Sequence, residues 1–269
     1  RPLRRLAVLL EAVAQGQLLA HSSLAMCSGM RDLIGDLFRS SLDAVVDNAL
    51  FAALYCNGQS CLAGTRLFVH EAVYDDFIDR AIASVGHVNV GLPLDEQVRL
   101  SGLVSPKQGE RVLDFIAHAK SEGARLLAGG KRVRPQGGDA GYFVEPTIFE
   151  AKNCMRIAQE EVFGPVLTVI RWRDYEQMID EANDVRYGLA AGIYTTSLRS
   201  AMETADRLDA GSVWINNYFN LAGGSPFGGV KESGIGREFC HETLNMYSQL
   251  KSITVQTTVS SPWFAVAGA

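Results

Sequence analysis

The chain has 269 residues, enough for one large domain or two small ones. Hydrophobic residues make up 47% and charged residues 20%, the balance of a soluble globular chain, and no apolar run reaches the roughly 18 residues of a membrane span. The net charge of -5 argues against a nucleic-acid surface.

Five cysteines, Cys27, Cys56, Cys61, Cys154 and Cys240, form no pattern. They read as reduced thiols in a cytoplasmic setting rather than as a disulfide framework. None forms a C-x-x-C pair, so no metal site is expected.

The chain starts at Arg1, which reads as a fragment, a processed product or an incomplete sequence. The basic start followed by Leu6 to Leu10 has the look of a targeting peptide. Glu11 ends the apolar stretch without a cleavage site, and an amphipathic helix over Leu6 to Ala14 is the better reading. Residues 12–40 keep no period and are interrupted by Gly16, Gly29 and Gly35.

Order begins at Ser41, which can cap a helix with Leu42, Val45, Val46, Leu50 and Leu54 on one face. Asn57-Gly58 stops that helix, so Cys61 falls on the loop beyond it. A strand is predicted at Leu67-Phe68-Val69, a helix over Tyr74 to Val85, and a helix over Pro106 to Ser121. Ala124 to Leu127 reads as a strand, Arg132 to Gly141 as a polar loop, and Tyr142 to Phe149 as extended around Pro146. Val166 to Trp172, Ala190 to Tyr194 and Ser212 to Asn216 read as strands, with helices over Tyr175 to Asn183 and Leu198 to Leu208 between them. Strands alternating with helices imply crossover units, hence an α/β fold with a mostly parallel sheet flanked by helices. A glycine-rich stretch, Gly223 to Gly236, precedes a β-rich segment, Leu250 to Thr258. The expected organisation is a divergent segment (1–40), a catalytic α/β domain (41–248), a C-terminal strand (249–259) and a tail (260–269).

Three segments carry chemistry. The first is Gly58-Gln59-Ser60-Cys61-Leu62-Ala63-Gly64-Thr65-Arg66, which puts a cysteine on a loop between helix and strand. A cysteine attacks as thiolate and needs a partly open site with amide donors nearby. Cys56 lacks this context and reads as structural. The segment resembles the active-site cysteine region of the aldehyde dehydrogenase superfamily. The resemblance implies that Cys61 adds to an aldehyde, that hydride passes to NAD or NADP, and that water hydrolyses the resulting thioester. It also implies that the oxyanion is held by the cysteine's backbone N–H and by an asparagine from an upstream domain.

The second segment is Gln159-Glu160-Glu161-Val162-Phe163-Gly164-Pro165. By itself it reads as an acidic helix edge before a turn at Gly164-Pro165. By resemblance, Glu161 would accept hydrogen bonds from the nicotinamide ribose hydroxyls and Phe163 would pack beside the nicotinamide. The third, Ser225-Pro226-Phe227-Gly228-Gly229-Val230-Lys231-Glu232-Ser233-Gly234, is similar to the loop beside the family's substrate tunnel. Phe227 and Leu221 would line that tunnel, and Ser60 and Leu62 would touch the substrate. Core packing is the other reading of Phe227, and Lys231 and Arg237 are not read as catalytic. The resemblance covers roughly Ser41 to Thr258, and its last part implies a strand that adds to a neighbouring subunit's sheet, with a homo-oligomer as the family's assembly.

The chain departs from the family before Cys61. Where the family places a glutamate general base, this chain has Met26-Cys27-Ser28-Gly29-Met30-Arg31, and Glu11 is the one glutamate upstream of Cys61. No G-x-G-x-x-G precedes Cys61. Losing a positioned base is expected to slow thioester hydrolysis by roughly 10²–10⁴-fold. The alternatives are therefore a truncated NAD(P)-dependent aldehyde dehydrogenase acting on a small-molecule aldehyde, and an inactive remnant or interaction subunit that binds no cofactor. Acylation of Cys61 by activated esters, which needs no hydride acceptor, is a third outcome.

Overall fold

A computed structural model describes residues 42–138 and 141–258. The expectations placed on Leu6 to Ala14, Met26 to Arg31, the Ser41 cap and the 260–269 tail lie outside these residues.

Helix α1 (42–54) buries Val46, Ala49, Leu50 and Ala53, following the predicted period. It runs into a 3-10 turn at Tyr55–Gly58, where Cys56, Asn57 and Gly58 all take the left-handed backbone region. β1 (Arg66–His70) follows and leads directly into α2 (Glu71–Val85), which starts three residues before the predicted Tyr74. The His70 ring accepts from the Ala72 N–H at 3.2 Å and so caps the earlier start. α3 (Pro106–Ser121) has Pro106 in its first turn, and Ser105 accepts from the Gln108 N–H at 3.2 Å.

β2 (Arg125–Ala128), β3 (Arg132–Val133), β4 (Phe143–Val144) and β5 (Thr147–Glu150) come next. The expected polar loop thus opens with a short strand, β3, paired antiparallel with β4. After the single-turn α4 (Arg156–Gln159) come β6 (Val166–Trp172), α5 (Tyr175–Asn183), β7 (Tyr187–Gly188) and β8 (Ala190–Ile193). α6 (Leu198–Arg207), β9 (Ser212–Ile215), β10 (Val230–Lys231) and α7 (His241–Met246) complete the order.

The central sheet runs β1-β6-β5-β2. β1 and β5 pair parallel with β6, and β2 closes the edge antiparallel. Its side chains alternate between two cores. Ile148 and Leu167 join α1 and α2 in one; Phe149 and Val166 join Val112, Phe115 and Ile116 of α3 in the other. Helices cover both faces, which is why β6 reads as a nearly continuous apolar run. β8 and β9 form a separate parallel pair.

The C-terminal strand was expected to add to a neighbouring subunit's sheet, and the described residues supply no partner edge for it. Residues 251–258 form no strand, and Leu250, Ile253 and Val255 stand exposed. A strand exists only where another edge supplies its hydrogen bonds, and no edge among the described residues does so.

Candidate active site

The turn after α1 aims Cys61. Gly58 is buried with φ +67°, and Gly164 leaves no room for a side chain there. Asn57 Oδ1 accepts from the Ser101 N–H at 2.8 Å, and Gln59 Oε1 accepts from the Val104 N–H at 2.9 Å. These two side chains pin the turn to the 101–104 loop. Beyond Cys61 the chain folds back: the Ala63 N–H donates to Ser60 O at 3.0 Å, and the Gly64 N–H donates to Ala52 O at 2.9 Å. Cys61 is left exposed between buried Gly58 and buried Leu62. Among the described residues its N–H has no acceptor, the condition in which an amide can stabilise an oxyanion. Cys154 is exposed too, so accessibility alone does not single out Cys61. Cys56, expected to be structural, is also exposed, and its contribution is a left-handed backbone (φ 53°).

The Glu161–Phe163 segment is held by α3. Gln108 Nε2 donates to Val162 O at 3.1 Å and Phe163 O at 2.8 Å, and Arg111 donates to Glu161 O at 2.7 Å. Phe163 has φ 57°, a left-handed backbone for a bulky residue, which these bonds stabilise. Desolvation raises the Glu161 carboxyl above its ordinary pKa, against the pull of Arg111 and Arg186.

Cys61 and Glu161 open on one cleft of about 930 Å³. Leu62 contributes to its wall, as do β1, β8 and Tyr218. Ser60, Phe163, Leu221 and Phe227 are not among its lining residues. Ser60 instead accepts from the Leu62 N–H at 3.3 Å, Leu221 is exposed, and Phe227 pairs antiparallel with Glu238 and stacks edge-on with Phe239.

Sequence reasoning missed an aromatic group beside the cysteine turn. The rings of Phe51, Tyr55 and Phe219 lie 5.0–5.7 Å apart, and Phe219 leads through Tyr218 to Trp214. Phe51 and Tyr55 are exposed, whereas Tyr218 packs on Gly64. The available signal was two aromatics four apart on the otherwise polar face of α1. Lys231 and Arg237 make only structural bonds here: Lys231 pairs with Asp209 at 2.9 Å, and Arg237 donates to Gly229 O and Gly236 O, each at 2.8 Å.

Comparison with known proteins bears on the same segments. A family model described as the aldehyde dehydrogenase family matches residues 37–253. A betaine aldehyde dehydrogenase of Mesorhizobium japonicum is 44% identical over 227 residues, which is 82% of this chain and 47% of that protein. An aldehyde dehydrogenase of Enchytraeus buchholzi is 42% identical over 219 residues, 81% of this chain and 43% of that protein. An NAD+ complex of an aldehyde dehydrogenase from Bacillus cereus superposes with a TM-score of 0.76 at 39% identity, covering 81% of this chain and 44% of that one. The chain therefore spans less than half the length of these relatives.

Proposed function

The chain belongs to the aldehyde dehydrogenase family, and from that premise we propose that it carries the catalytic part of an NAD(P)+-dependent aldehyde oxidation with Cys61 as nucleophile. The observation that carries this reading is the shared cleft of Cys61 and Glu161.

The Cys61 thiolate adds to the aldehyde carbon, forming a C–S bond and an alkoxide that the Cys61 N–H stabilises. Glu161 and Phe163 would hold the nicotinamide end of NAD(P)+, which when bound would supply the hydride acceptor this oxidation requires. A thioester to Cys61 results, and water hydrolyses it to the carboxylate and the free thiol. Glu161 suits the nicotinamide ribose as a paired acceptor for a vicinal diol, and Phe163 lies two residues beyond it on a fixed backbone. Leu62 in the cleft wall forms part of the aldehyde's surroundings in this reading, and Ser60, Leu221 and Phe227 join it there by the family resemblance alone. Residues 249–259 complete a homo-oligomer by adding to another subunit's sheet, in keeping with the exposed Leu250, Ile253 and Val255.

Alkylation of the purified chain by iodoacetamide, mapped by peptide mass with and without NAD+, tests the reading. Cys61 is expected to react ahead of Cys154, at a rate that NAD+ alters. If the two cysteines react alike and NAD+ changes neither, the chain is an inactive remnant or an interaction subunit.

A further inference from the structure

A helix leaves its last carbonyl groups without helical partners. At the C-terminal end of α5 and in the turn behind it, those carbonyls are met by three distant segments. Glu181 O and Ala182 O accept from the Arg66 guanidinium, the latter at 2.9 Å. Asp184 O accepts from Gln159 Nε2 at 2.9 Å. Asn183 O accepts from Lys231 Nζ at 2.6 Å, and Arg186 O accepts from the Glu232 N–H at 3.0 Å.

Each of these donors belongs to one of the three motif segments. Arg66 ends the nucleophile segment, Gln159 opens the Glu161 segment, and Lys231 and Glu232 lie in the glycine-rich loop. Asn153 ties two of them together: its Oδ1 accepts from Arg66 Nε at 3.1 Å, and its backbone O accepts from Gln159 Nε2 at 2.8 Å. Asn153 is itself buried. Two cations at one helix C-terminus also meet the negative end of the helix dipole. Burial pulls Arg66 down to about 10, which leaves it charged at neutral pH.

Resting on the reading of Cys61 and Glu161 given above, the geometry points to Arg66 and Lys231 as positioning residues that fasten all three motif segments to the C-terminal end of α5 and so fix Cys61 and Glu161 relative to each other. Neither touches the reacting atoms. Arg66 acts through the strand it begins, and Lys231 acts through the helix end that Gln159 also grips.

The test is hydrogen–deuterium exchange of the full chain, read together with Cys61 and Cys154 alkylation, in Lys231→Met and Lys231→Arg. Lys231→Met is expected to speed exchange about tenfold in residues 61–70 and 157–163, the effect of one lost charge-assisted hydrogen bond, as well as around its own site. The Cys61 rate is expected to shift severalfold while that of Cys154 holds, and Lys231→Arg is expected to restore both. Faster exchange confined to residues 181–186 and 229–233, or an arginine variant that behaves like the methionine one, overturns the proposal. Should Lys231→Met fail to fold, Gln159→Leu removes a neutral donor from the same helix end. Loosening of residues 61–70 in that variant supports the proposal, and unchanged exchange there sinks it. The two readings separate cleanly. A wild-type Cys61 without preference, combined with remote loosening in the variant, removes the catalytic reading and keeps the fastening. A preferred Cys61 with unmoved remote segments does the reverse.

Discussion

Gly58 and Gly164 meet backbone to backbone. A β-carbon on Gly58 would stand 2.0 Å from the Gly164 carbonyl oxygen, a distance real side chains do not reach. This one approach joins the turn that carries Cys61 to the segment that carries Glu161.

Gly58→Ala is therefore expected to destabilise the chain by about 2–4 kcal/mol, because it adds a clash with backbone to a left-handed φ of +67°. Urea unfolding measures the loss. A shift below about 0.5 kcal/mol, the range of ordinary surface changes, would show that the two segments separate freely.

Cys61→Ser changes an exposed side chain and should move stability by less than about 0.5 kcal/mol. With p-nitrophenyl acetate, the native chain is expected to release a burst of nitrophenolate as the thiolate takes up the acetyl group, and the serine variant none. Cys154→Ser should keep the burst. A burst that survives in Cys61→Ser assigns the acylation to another residue.

Glu161 has its carboxyl pKa raised by desolvation. The folded chain thus holds this proton more tightly than the unfolded chain does. The sign follows: Glu161 favours folding most below its unfolded pKa, and that contribution is lost as pH rises toward the raised folded value. Glu161→Gln should consequently be more stable than the native chain at neutral pH, with the difference vanishing below about pH 4. The same variant should weaken NAD+ binding about tenfold through loss of a charged acceptor. Denaturation across pH and calorimetric titration read the two effects separately, and a variant less stable at pH 7 contradicts the first.

Phe219 stands in contact with the rings of Phe51, Tyr55 and Tyr218. Phe219→Ala should cost about 1–3 kcal/mol through lost ring pairs. It should also lower the ratio of Cys61 labelling by benzyl bromide to that by iodoacetamide, since the aromatic surface beside the turn is broken up. An unchanged ratio would place that surface outside the approach to Cys61.

The α/β alternation was legible because apolar periods of two and of about 3.6 are local. α3 and α5 have the predicted bounds, with Pro106 and the Ser105 cap fixing the start of the first and the Asp174 cap that of the second. The loop position of Cys61 was legible for the same local reason, the Asn57-Gly58 stop at the end of α1. The side chains that hold the site were not. Asn57, Gln59 and Gln108 bond to groups 44 to 55 residues away, and nothing in their neighbourhoods announces those partners. The left-handed Phe163 is equally silent in sequence, since a bulky aromatic gives no local sign of that conformation. Phe227 is half-buried against Phe239, a contact that the glycine-rich stretch does not announce. Residues 251–258 have the composition of a strand, but a strand is a property of two edges and sequence describes one.

The convergence on the end of α5 dictates an order of assembly. Arg66 reaches carbonyls 115 and 116 residues further along, and Lys231 reaches back 48 residues to Asn183. Contacts of such separation form late, because the loops they close must first lose their freedom. During synthesis Cys61 leaves the ribosome ahead of Lys231, and its surroundings stay unfinished until residue 231 has followed it. Over that interval the nascent chain carries an exposed thiol, and the ties that reach the Cys61 segment through the end of α5 are among the last contacts to be made.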